Sequence, residues 1–179
     1  MKLEIKKGSQ LSKEFIQEWN ELIKKEFKGY GQLKKKEFYK DVFFILENKN
    51  KLLSIGRIKS LKINFIGKNY KILVITDVVS IIKKKGYGKR IIQAMKKYIK
   101  RKGNSEIGFC HPKNTRFYEK CGLIIVKDGV KRCYYRDKNG KIHKNHWDKN
   151  LLCLEGKDRL ISKIISNPKE KIKLSTNFF

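Results

Sequence analysis

The sequence predicts a single α+β domain whose sheet is covered by helices. Three observations predict it: an amphipathic helix near the start of the chain, three strand-like segments joined by short polar turns, and a second amphipathic helix that begins at a glycine-rich turn. Separate runs of helix and strand patterns are typical of α+β domains. The chain of 179 residues has the length of one domain, so we expect one domain over residues 1–179, with residues 156–179 as its C-terminal extension.

The first helix is predicted by apolar side chains that recur every three or four positions over residues 11–27. Ser9 or Ser12 can cap its start, because a hydroxyl oxygen accepts a hydrogen bond from one of the first amides of a helix. Gly29 has the residue type that is typical of a C-terminal cap. A second, shorter helix is expected over residues 33–39.

The segments that follow predict an antiparallel meander. Residues 42–46, 52–65 and 70–80 have the composition of strands, and residues 48–50 and 67–69 form polar turns between them. Turns this short join neighbouring antiparallel strands, whereas parallel strands need a long crossover. We therefore expect the three strands to lie side by side.

The later elements are shorter, apart from one helix. Residues 86–88 open an amphipathic helix of about four turns that ends near Gly103. Residues 137–140 predict a tight turn. Further strands are expected at residues 107–110, 123–126, 133–136 and 151–154, and further helices at residues 114–121 and 157–165.

The composition is strongly basic. The chain has 45 Lys and Arg against 17 Asp and Glu, a net charge of +28, and such a charge attracts polyanions. Only seven of the basic residues are Arg, although the guanidinium fork suits phosphate and base recognition better than an ammonium group does. We therefore interpret the charge as compositional drift and expect only weak, non-specific polyanion binding at low salt.

The sequence also predicts where the protein works. It contains no apolar run long enough to span a membrane, and residues 1–10 lack the apolar core of a secretory signal. We expect a cytoplasmic protein with no membrane partner and with cysteines kept as free thiols. Those cysteines are Cys110, Cys121, Cys133 and Cys153.

A metal site is the alternative use of the cysteines and histidines. A zinc set can be assembled from Cys133, His143, His146 and Cys153. Zinc sites usually take their cysteines from closely spaced pairs, which this spacing does not provide. We therefore expect no metal.

Residues 78–90 are the first segment that indicates a ligand. A strand runs into Gly86, Tyr87 and Gly88 and then into a helix. Glycine allows a tight turn and a close approach of the backbone to a ligand, and the first amides of a helix bind phosphate. Basic side chains surround this turn: Lys83, Lys84, Lys85, Lys89 and Arg90. A plain strand-to-helix turn is the alternative, because two glycines alone are a weak signal.

Residues 106–123 are the second segment. The two segments together resemble the GNAT superfamily of acetyl-CoA-dependent N-acetyltransferases. Residues 83–88 match its cofactor motif, with Lys83 where Arg or Gln is usual and Ser80 where Pro is frequent. The second motif is matched by Asn114, Phe117, Tyr118, Gly122 and Leu123, the last in place of the usual Phe.

The resemblance implies a mixed, mostly antiparallel sheet flanked by helices, with a splayed strand pair at the cofactor site. It implies that acetyl-CoA is the co-substrate and that Val78, Val79 and Ser80 hold its pantetheine arm. The amides of residues 85–89 are expected to bind the pyrophosphate, with the side chains of residues 83–90 adding charge. Asn114, Phe117 and Tyr118 are expected to contact the cofactor.

The resemblance also implies catalytic roles. Tyr118 is expected to protonate the leaving thiolate, and a backbone N–H on the splayed strand, that of Val78, to hold the developing oxyanion. The general base is left open between Asp77, His111 and a water relay. Asp77 can equally be a salt-bridged core residue, and His111 a loop histidine.

The expected reaction is transfer of an acetyl group from acetyl-CoA directly to a primary amine of an unidentified acceptor. Two alternatives stay open: a non-catalytic module that binds acetyl-CoA, and an acetyltransferase associated with nucleic acid or the ribosome. The first is favoured by the lack of a glutamate on the strand over residues 70–80, and the second by the basic charge.

Overall fold

The computed structural model describes residues 1–27, 38–49, 51–144 and 148–175. Its residues form two compact units, which we call the first unit (Met1–Lys59 and Ile75–Met95) and the second unit (Ser60–Val74 and Lys96–Phe179). Gly29 and most of the helix expected over residues 33–39 lie outside the described residues. The division into one domain and a C-terminal extension stays a prediction.

The first unit combines an antiparallel sheet with two helices. Strand β2 pairs with β1 on one side and with β3 on the other, antiparallel in both cases. Ser12 caps helix α1, because its Oγ accepts a hydrogen bond from the Phe15 amide at 3.1 Å. The elements are β1 (Lys2–Lys7), α1 (Lys13–Glu26), β2 (Val42–Asn48), β3 (Lys51–Phe65), β4 (Lys68–Ser80) and α2 (Tyr87–Lys102), of which β3, β4 and α2 continue into the second unit.

Aromatic side chains form the core beneath α1. Trp19 lies edge-to-face on Phe43 at 5.1 Å between ring centroids, and Phe38 lies on the same ring at 5.4 Å. All three are fully buried or nearly so. Such pairs add about 0.5–1.5 kcal/mol each beyond their buried area, so the pair of Trp19 and Phe43 helps to hold α1 on the sheet.

Helix α2 packs on the sheet at a glycine. A Cβ built on Gly56 of β3 lies 2.8 Å from a methyl carbon of Ile91 and 2.9 Å from the sulfur of Met95. Any side chain at position 56 therefore collides with α2. This close contact sets the distance between β3 and the start of α2, which follows the glycine-rich turn.

The second unit is built on a mixed, mostly antiparallel sheet. Its strand order is β6-β9-β5-β4-β3-β10-β7-β8, and only the β4–β5 and β7–β10 pairs are parallel among its described pairings. The new elements are β5 (Glu106–Cys110), α3 (Thr115–Lys120), β6 (Ile124–Val126), β7 (Cys133–Arg136), β8 (Ile142–His143), β9 (Asn150–Leu154), α4 (Leu160–Ser166) and β10 (Ile172–Leu174).

The parallel pair β4–β5 is held at a single register position. Leu73 lies opposite Glu106, and the Leu73 amide donates to the Ser105 carbonyl at 3.0 Å. On its other side β5 pairs with β9 along all five of its residues. A parallel pair with one described point of pairing matches the splayed pair that the resemblance implies.

A buried arginine fixes the last helix of the second unit. Arg132 donates from Nε, Nη1 and Nη2 to the carbonyls of Glu170, Ile164 and Asn167, at 2.9, 3.2 and 2.7 Å. These carbonyls lie at or just after the C-terminal end of α4, where helix carbonyls lack partners within the helix. The predicted helix over residues 157–165 is thus confirmed with its start shifted to Leu160.

The fold class predicted from the sequence is confirmed: α+β, with a mostly antiparallel sheet flanked by helices. Within the described ranges, no helix combines the length and the apolar composition needed to cross a membrane.

Candidate functional site

The turn between β4 and α2 carries the first segment on which the resemblance rests. Gly86 has a φ of +78°, and the Arg90 amide donates to its carbonyl at 3.1 Å, which is the first hydrogen bond of α2. The amides of residues 87–89 therefore precede the hydrogen-bonded part of the helix. The positive end of the helix dipole lies at the same place, and this combination suits an anion.

The turn has room for a ligand at Gly86. A Cβ built on Gly86 meets no heavy atom within 4 Å, and the residue is exposed. The open space lies beside the first amides of α2. The residues present thus fit a phosphate group that approaches the start of the helix.

The basic side chains of the turn do not all have the same surroundings. Lys83 Nζ lies 2.8 Å from Glu26 Oε2 at the end of α1, in an exposed ion pair. Arg90 Nη1 donates to the sulfur of Met1 at 3.4 Å. Lys84, which has a φ of +61°, is exposed, as are Lys85 and Lys89.

Asp77 interrupts the regular geometry of β4. Its φ is +53°, a left-handed conformation that is uncommon outside glycine and typical of the first residue of some β-bulges. The side chain is buried and pairs with Arg57 of β3, with 2.5 Å between Oδ2 and Nη2. This is the salt-bridged alternative that the sequence analysis left open for Asp77.

The surroundings of that ion pair are also charged. Asp41 Oδ2 lies 3.4 Å from Nη1 of Arg57, and burial raises the pKa of Asp41. Burial lowers the pKa of Lys59, two residues further along β3. Arg57 therefore lies between two buried carboxyl groups.

The end of β4 is held by hydrogen bonds from β3. Ser54 Oγ donates to the Val79 carbonyl at 2.7 Å and lies 2.9 Å from Ser80 Oγ. The Ile81 amide donates to the Leu53 carbonyl at 3.0 Å. These contacts fix the backbone on which the resemblance places the pantetheine arm.

Helix α3 of the second unit carries Tyr118. The side chain is half-buried, and burial raises its pKa well above the usual value, with Cys110 and Glu106 adding to the shift. Phe117 packs edge-to-face on it at 5.0 Å and is 39% exposed. A tyrosine in this environment keeps its proton at neutral pH, as a proton donor must.

Lys96 fixes the C-terminal end of α3. Its Nζ donates to the carbonyls of Cys121 and Gly122 at 2.6 and 2.8 Å. Gly122 has a φ of +74°, the usual conformation after a helix end. The Leu123 amide donates back to the Tyr118 carbonyl at 3.2 Å, so Tyr118 belongs to a well-anchored helix end.

His111 has a geometry that opposes proton abstraction. Its Nδ1 accepts a hydrogen bond from the Lys113 amide at 3.2 Å. In a neutral imidazole an Nδ1 acceptor leaves the proton on Nε2, so Nε2 donates.

Asn114 lies on the exposed surface at the start of α3. The Cys110 thiol, whose pKa is raised by burial, contacts the His111 carbonyl at 3.2 Å.

The structure thus places the predicted residues in two groups. The first unit carries Asp77, Val78, Val79, Ser80, Lys83, Lys84, Lys85, Gly86, Tyr87, Gly88, Lys89 and Arg90. The second unit carries His111, Asn114, Phe117 and Tyr118.

Four residues near these groups were not predicted: Ser54, Arg57, Lys96 and Glu106. Arg57 was the most detectable, because it stands alone as a charge within the apolar run from Leu52 to Ile58. Ser54 and Lys96 act through backbone carbonyls, which no sequence pattern indicates. Glu106 is fully buried at the start of β5.

The cysteines and histidines have other roles in the described residues. Cys133 and Cys153 lie in the apolar core of the second unit, and His143 pairs with Asp137 at 2.8 Å and stacks on Tyr135. Across the described ranges, no three metal-ligating side chains are grouped to hold an ion. His146 lies outside those ranges.

Solved structures share the fold at low sequence identity. Escherichia coli ElaA has a TM-score of 0.62 and 12% identity, covering 84% of this chain and 97% of its own. An acyl-CoA N-acyltransferase from Pseudomonas aeruginosa has a TM-score of 0.58 and 12% identity, covering 86% of this chain and 97% of its own. An N-acetyltransferase from Staphylococcus aureus Mu50 has a TM-score of 0.55 and 16% identity, covering 87% of this chain and 98% of its own.

Sequence comparisons identify the family of the chain but no individual curated relative. No curated protein matches the chain. The family model described as the acetyltransferase (GNAT) domain matches residues 8–125, which is most of the chain and includes both segments that carry the resemblance. The match over most of the chain agrees with the shared fold, and the chain belongs to the GNAT acetyltransferase family.

Proposed function

We propose that this protein transfers the acetyl group of acetyl-CoA directly to a primary amine of an acceptor. The observation that carries the proposal is the open start of α2, where a Cβ on Gly86 meets no atom within 4 Å. A family member needs a place for the cofactor pyrophosphate, and this opening offers backbone amides and positive charge together.

The pyrophosphate is proposed to bind the amides of residues 87–89, with charge from Lys84, Lys85 and Lys89. Lys83 is a weaker candidate for direct contact because Glu26 already pairs with it. The pantetheine arm is proposed to follow the backbone of residues 78–80. These roles rest on main-chain groups, so they tolerate the departures from the family motif at Lys83 and Ser80.

The chemistry requires a neutral amine, a stabilised oxyanion and a protonated leaving group. An amine with an ordinary lysine pKa of about 10.4 is neutral at pH 7 at a cost of about 4–5 kcal/mol. We propose that the Val78 N–H holds the thioester oxygen as negative charge develops on it. Tyr118 then gives its proton to the coenzyme A thiolate, a role supported by its raised pKa.

The proton of the amine is proposed to leave through water. Asp77 is engaged with Arg57, and His111 uses Nδ1 to accept from the Lys113 amide. In both groups an acceptor atom is thus engaged by another residue of the chain. Solvent relayed along backbone carbonyls is the third route that the sequence left open, and it requires no side-chain base.

Isothermal titration with acetyl-CoA tests the cofactor part of the proposal. Wild type is expected to bind, and Gly86→Glu is expected to lose binding because a carboxylate enters the anion site. Gly86→Gln is the matched control, since it has the same length and the same backbone strain without the charge. Equal affinity of the Glu and Gln variants would count against a phosphate at this turn.

Release of coenzyme A with a panel of primary amines tests the transferase part. A rate above the background hydrolysis with at least one amine supports transfer. Tight binding of acetyl-CoA without release for any amine would instead favour the non-catalytic binding module.

A further inference from the structure

The conformation of Asp77 requires an explanation. A residue with a φ of +53° inside a strand is unfavourable for an L-amino acid, although aspartate tolerates it better than most. Conformations of this kind persist where neighbouring groups hold them. Here the groups that can hold it are within hydrogen-bonding or ion-pair distance of the side chain.

Two contacts anchor the Asp77 carboxylate. Oδ2 lies 2.5 Å from Arg57 Nη2, and Oδ1 accepts a hydrogen bond from Thr76 Oγ1 at 3.1 Å. The side chains of Arg57 and Asp77 are each 4% exposed. Arg57 also lies 3.4 Å from Asp41, so the guanidinium is oriented from two sides. A buried ion pair of this kind restricts the positions of both side chains, because moving one charge away leaves the other buried without compensation.

The left-handed residue reorients the peptide group that follows it. A left-handed residue within a strand, as in some β-bulges, turns the strand and redirects the groups next to it. The peptide after Asp77 carries the Val78 N–H. Ser54 fixes the chain beyond it, through the Val79 carbonyl and Ser80 Oγ. Val78 is therefore held on both sides by residues of β3.

We propose that Arg57 and Asp77 are positioning residues: their ion pair holds residue 77 in the left-handed conformation and so aims the Val78 N–H at the thioester oxygen of acetyl-CoA. The inference rests on the proposed function, since it assumes that acetyl-CoA binds along β4. It assigns Asp77 a role through the backbone rather than as the general base.

The two roles of Asp77 respond differently to substitution. Asparagine keeps a carbonyl oxygen for Arg57 and tolerates the left-handed conformation, whereas alanine does neither. A general base is lost equally in both variants. For a positioning residue, Asp77→Asn is expected within about 3-fold of wild-type kcat and Asp77→Ala about 30-fold lower, less than the about 10²–10³-fold effect of deleting an oxyanion donor.

The experiment uses acetyl-CoA labelled with carbon-13 at the thioester carbonyl, bound to the full chain without an acceptor. A hydrogen bond to the carbonyl oxygen moves the carbon resonance downfield. Wild type and Asp77→Asn are expected to show this shift, and Asp77→Ala to lose most of it while its affinity for acetyl-CoA changes less than about 3-fold, because a misaimed oxyanion donor affects the transition state more than the ground state. The rate of coenzyme A release with the best amine of the panel is measured in parallel.

Arg57 provides the second pair of variants, which protects the test against misfolding of Asp77→Ala. Arg57→Met removes the ion pair and is expected to lose the carbonyl shift, and Arg57→Lys to retain part of it. Melting temperatures show which variants are folded. If Asp77 were the base, Arg57→Met would keep the carbonyl shift.

The outcomes separate the two proposals. Equal loss of rate in Asp77→Asn and Asp77→Ala, with the carbonyl shift intact in both, overturns the positioning role in favour of a base. Wild-type shift and rate in every variant also overturn it. If wild type itself binds no acetyl-CoA, the proposed function fails first, and the inference fails with it.

Discussion

At the scale of single residues, Tyr118 is the side chain on which catalysis is proposed to depend most directly. Burial raises its pKa, so the phenol stays protonated through neutral and mildly alkaline pH. A proton donor of this kind is useful only if the leaving thiolate takes the proton during the reaction. The raised pKa also means that any alkaline limb of the rate profile below pH 9 belongs to another group.

Tyr118→Phe is expected to lower kcat by about 10²-fold and leave the affinity for acetyl-CoA unchanged, since general acid catalysis contributes about 10²–10⁴-fold. Phenylalanine keeps the ring that packs on Phe117 and removes only the hydroxyl. Turnover and isothermal titration measure the two effects. Tyr134→Phe on β7, outside the proposed site, is the control, and equal activity in both variants would remove Tyr118 from the mechanism.

At the scale of elements, α3 depends on a contact between a lysine and its C-terminal end. Lys96 donates to two carbonyls there, and a Cβ on Gly122 lies 2.7 Å from the Lys96 ammonium. A glycine at this position therefore allows both the positive φ and the close approach of the Lys96 ammonium group. This contact helps a short helix of one and a half turns to hold the half-buried Tyr118 in place.

Gly122→Ala is expected to destabilise the fold by about 2 kcal/mol, from left-handed strain of about 1–2 kcal/mol and displacement of Lys96. In a Lys96→Met background the same substitution is expected to cost about 1 kcal/mol, because only the strain is left. Urea denaturation of the four proteins closes the double-mutant cycle. Strict additivity would contradict the coupling.

Helix α4 depends on a carboxylate at its start. Glu155 accepts hydrogen bonds from the amides of Ile161 and Ser162 at 2.9 and 2.8 Å. Burial acts to raise its pKa, but the hydrogen bonds from Ser162 and Ile161 outweigh burial, so the pKa is lowered from 4.5. A lowered carboxyl pKa stabilises the fold above the unfolded value, and this stabilisation is lost as the pH falls through the folded value.

Glu155→Gln is therefore expected to lower the melting temperature at pH 6 and to differ progressively less from wild type below pH 4. Melting temperatures between pH 6 and pH 3 measure the difference. Glu119→Gln, at an exposed position of α3, is expected to follow wild type throughout. A constant difference between Glu155→Gln and wild type would show that the charge has no part in the effect.

The elements with a strong sequence pattern were predictable, and three strands without one were not. The apolar period of α1 and α2 and the turns of the meander indicated their elements to within a few residues. Strands β1, β8 and β10 were not predicted. They have six, two and three residues, and a charged residue separates the apolar positions in two of them, Glu4 in β1 and Lys173 in β10. Such strands form because a neighbour offers a backbone edge, and the sequence of the strand itself does not contain that information.

The parts of the candidate site that depend on the backbone conformation of glycines were predictable. The parts that depend on contacts between side chains were less so. Gly86 and Gly122 indicated a turn and a helix end, and both have a positive φ. The left-handed Asp77 was not indicated, because its conformation depends on Arg57, which is twenty residues away in the sequence. Contacts between distant side chains, unlike local backbone preferences, leave no periodic signal.

At the scale of the whole molecule, the charge of +28 sets how the protein meets polyanions. Lysines are spread over both units and most of the elements rather than confined to one. A distributed ammonium surface attracts phosphate without reading sequence. The charge therefore predicts association with nucleic acid that is general and sensitive to salt.

Single-stranded RNAs of unrelated sequence are expected to bind weakly and equally at 50 mM salt, and to lose about 300-fold in affinity by 200 mM if about six phosphates are contacted. Fluorescence anisotropy over this salt range measures the slope. A sequence preference that survives at 200 mM would contradict compositional drift and favour the acetyltransferase associated with nucleic acid.

The position of β10 has a kinetic consequence. This strand lies between β3 and β7, with Ile172 opposite Phe65 and beside Cys133, so the middle of a sheet is completed by residues distant along the chain. Contacts of such long range require a large loss of chain entropy before they become favourable. Refolding is therefore expected on the millisecond-to-second timescale of proteins with high contact order, with β3 and β7 joined only in the final stage.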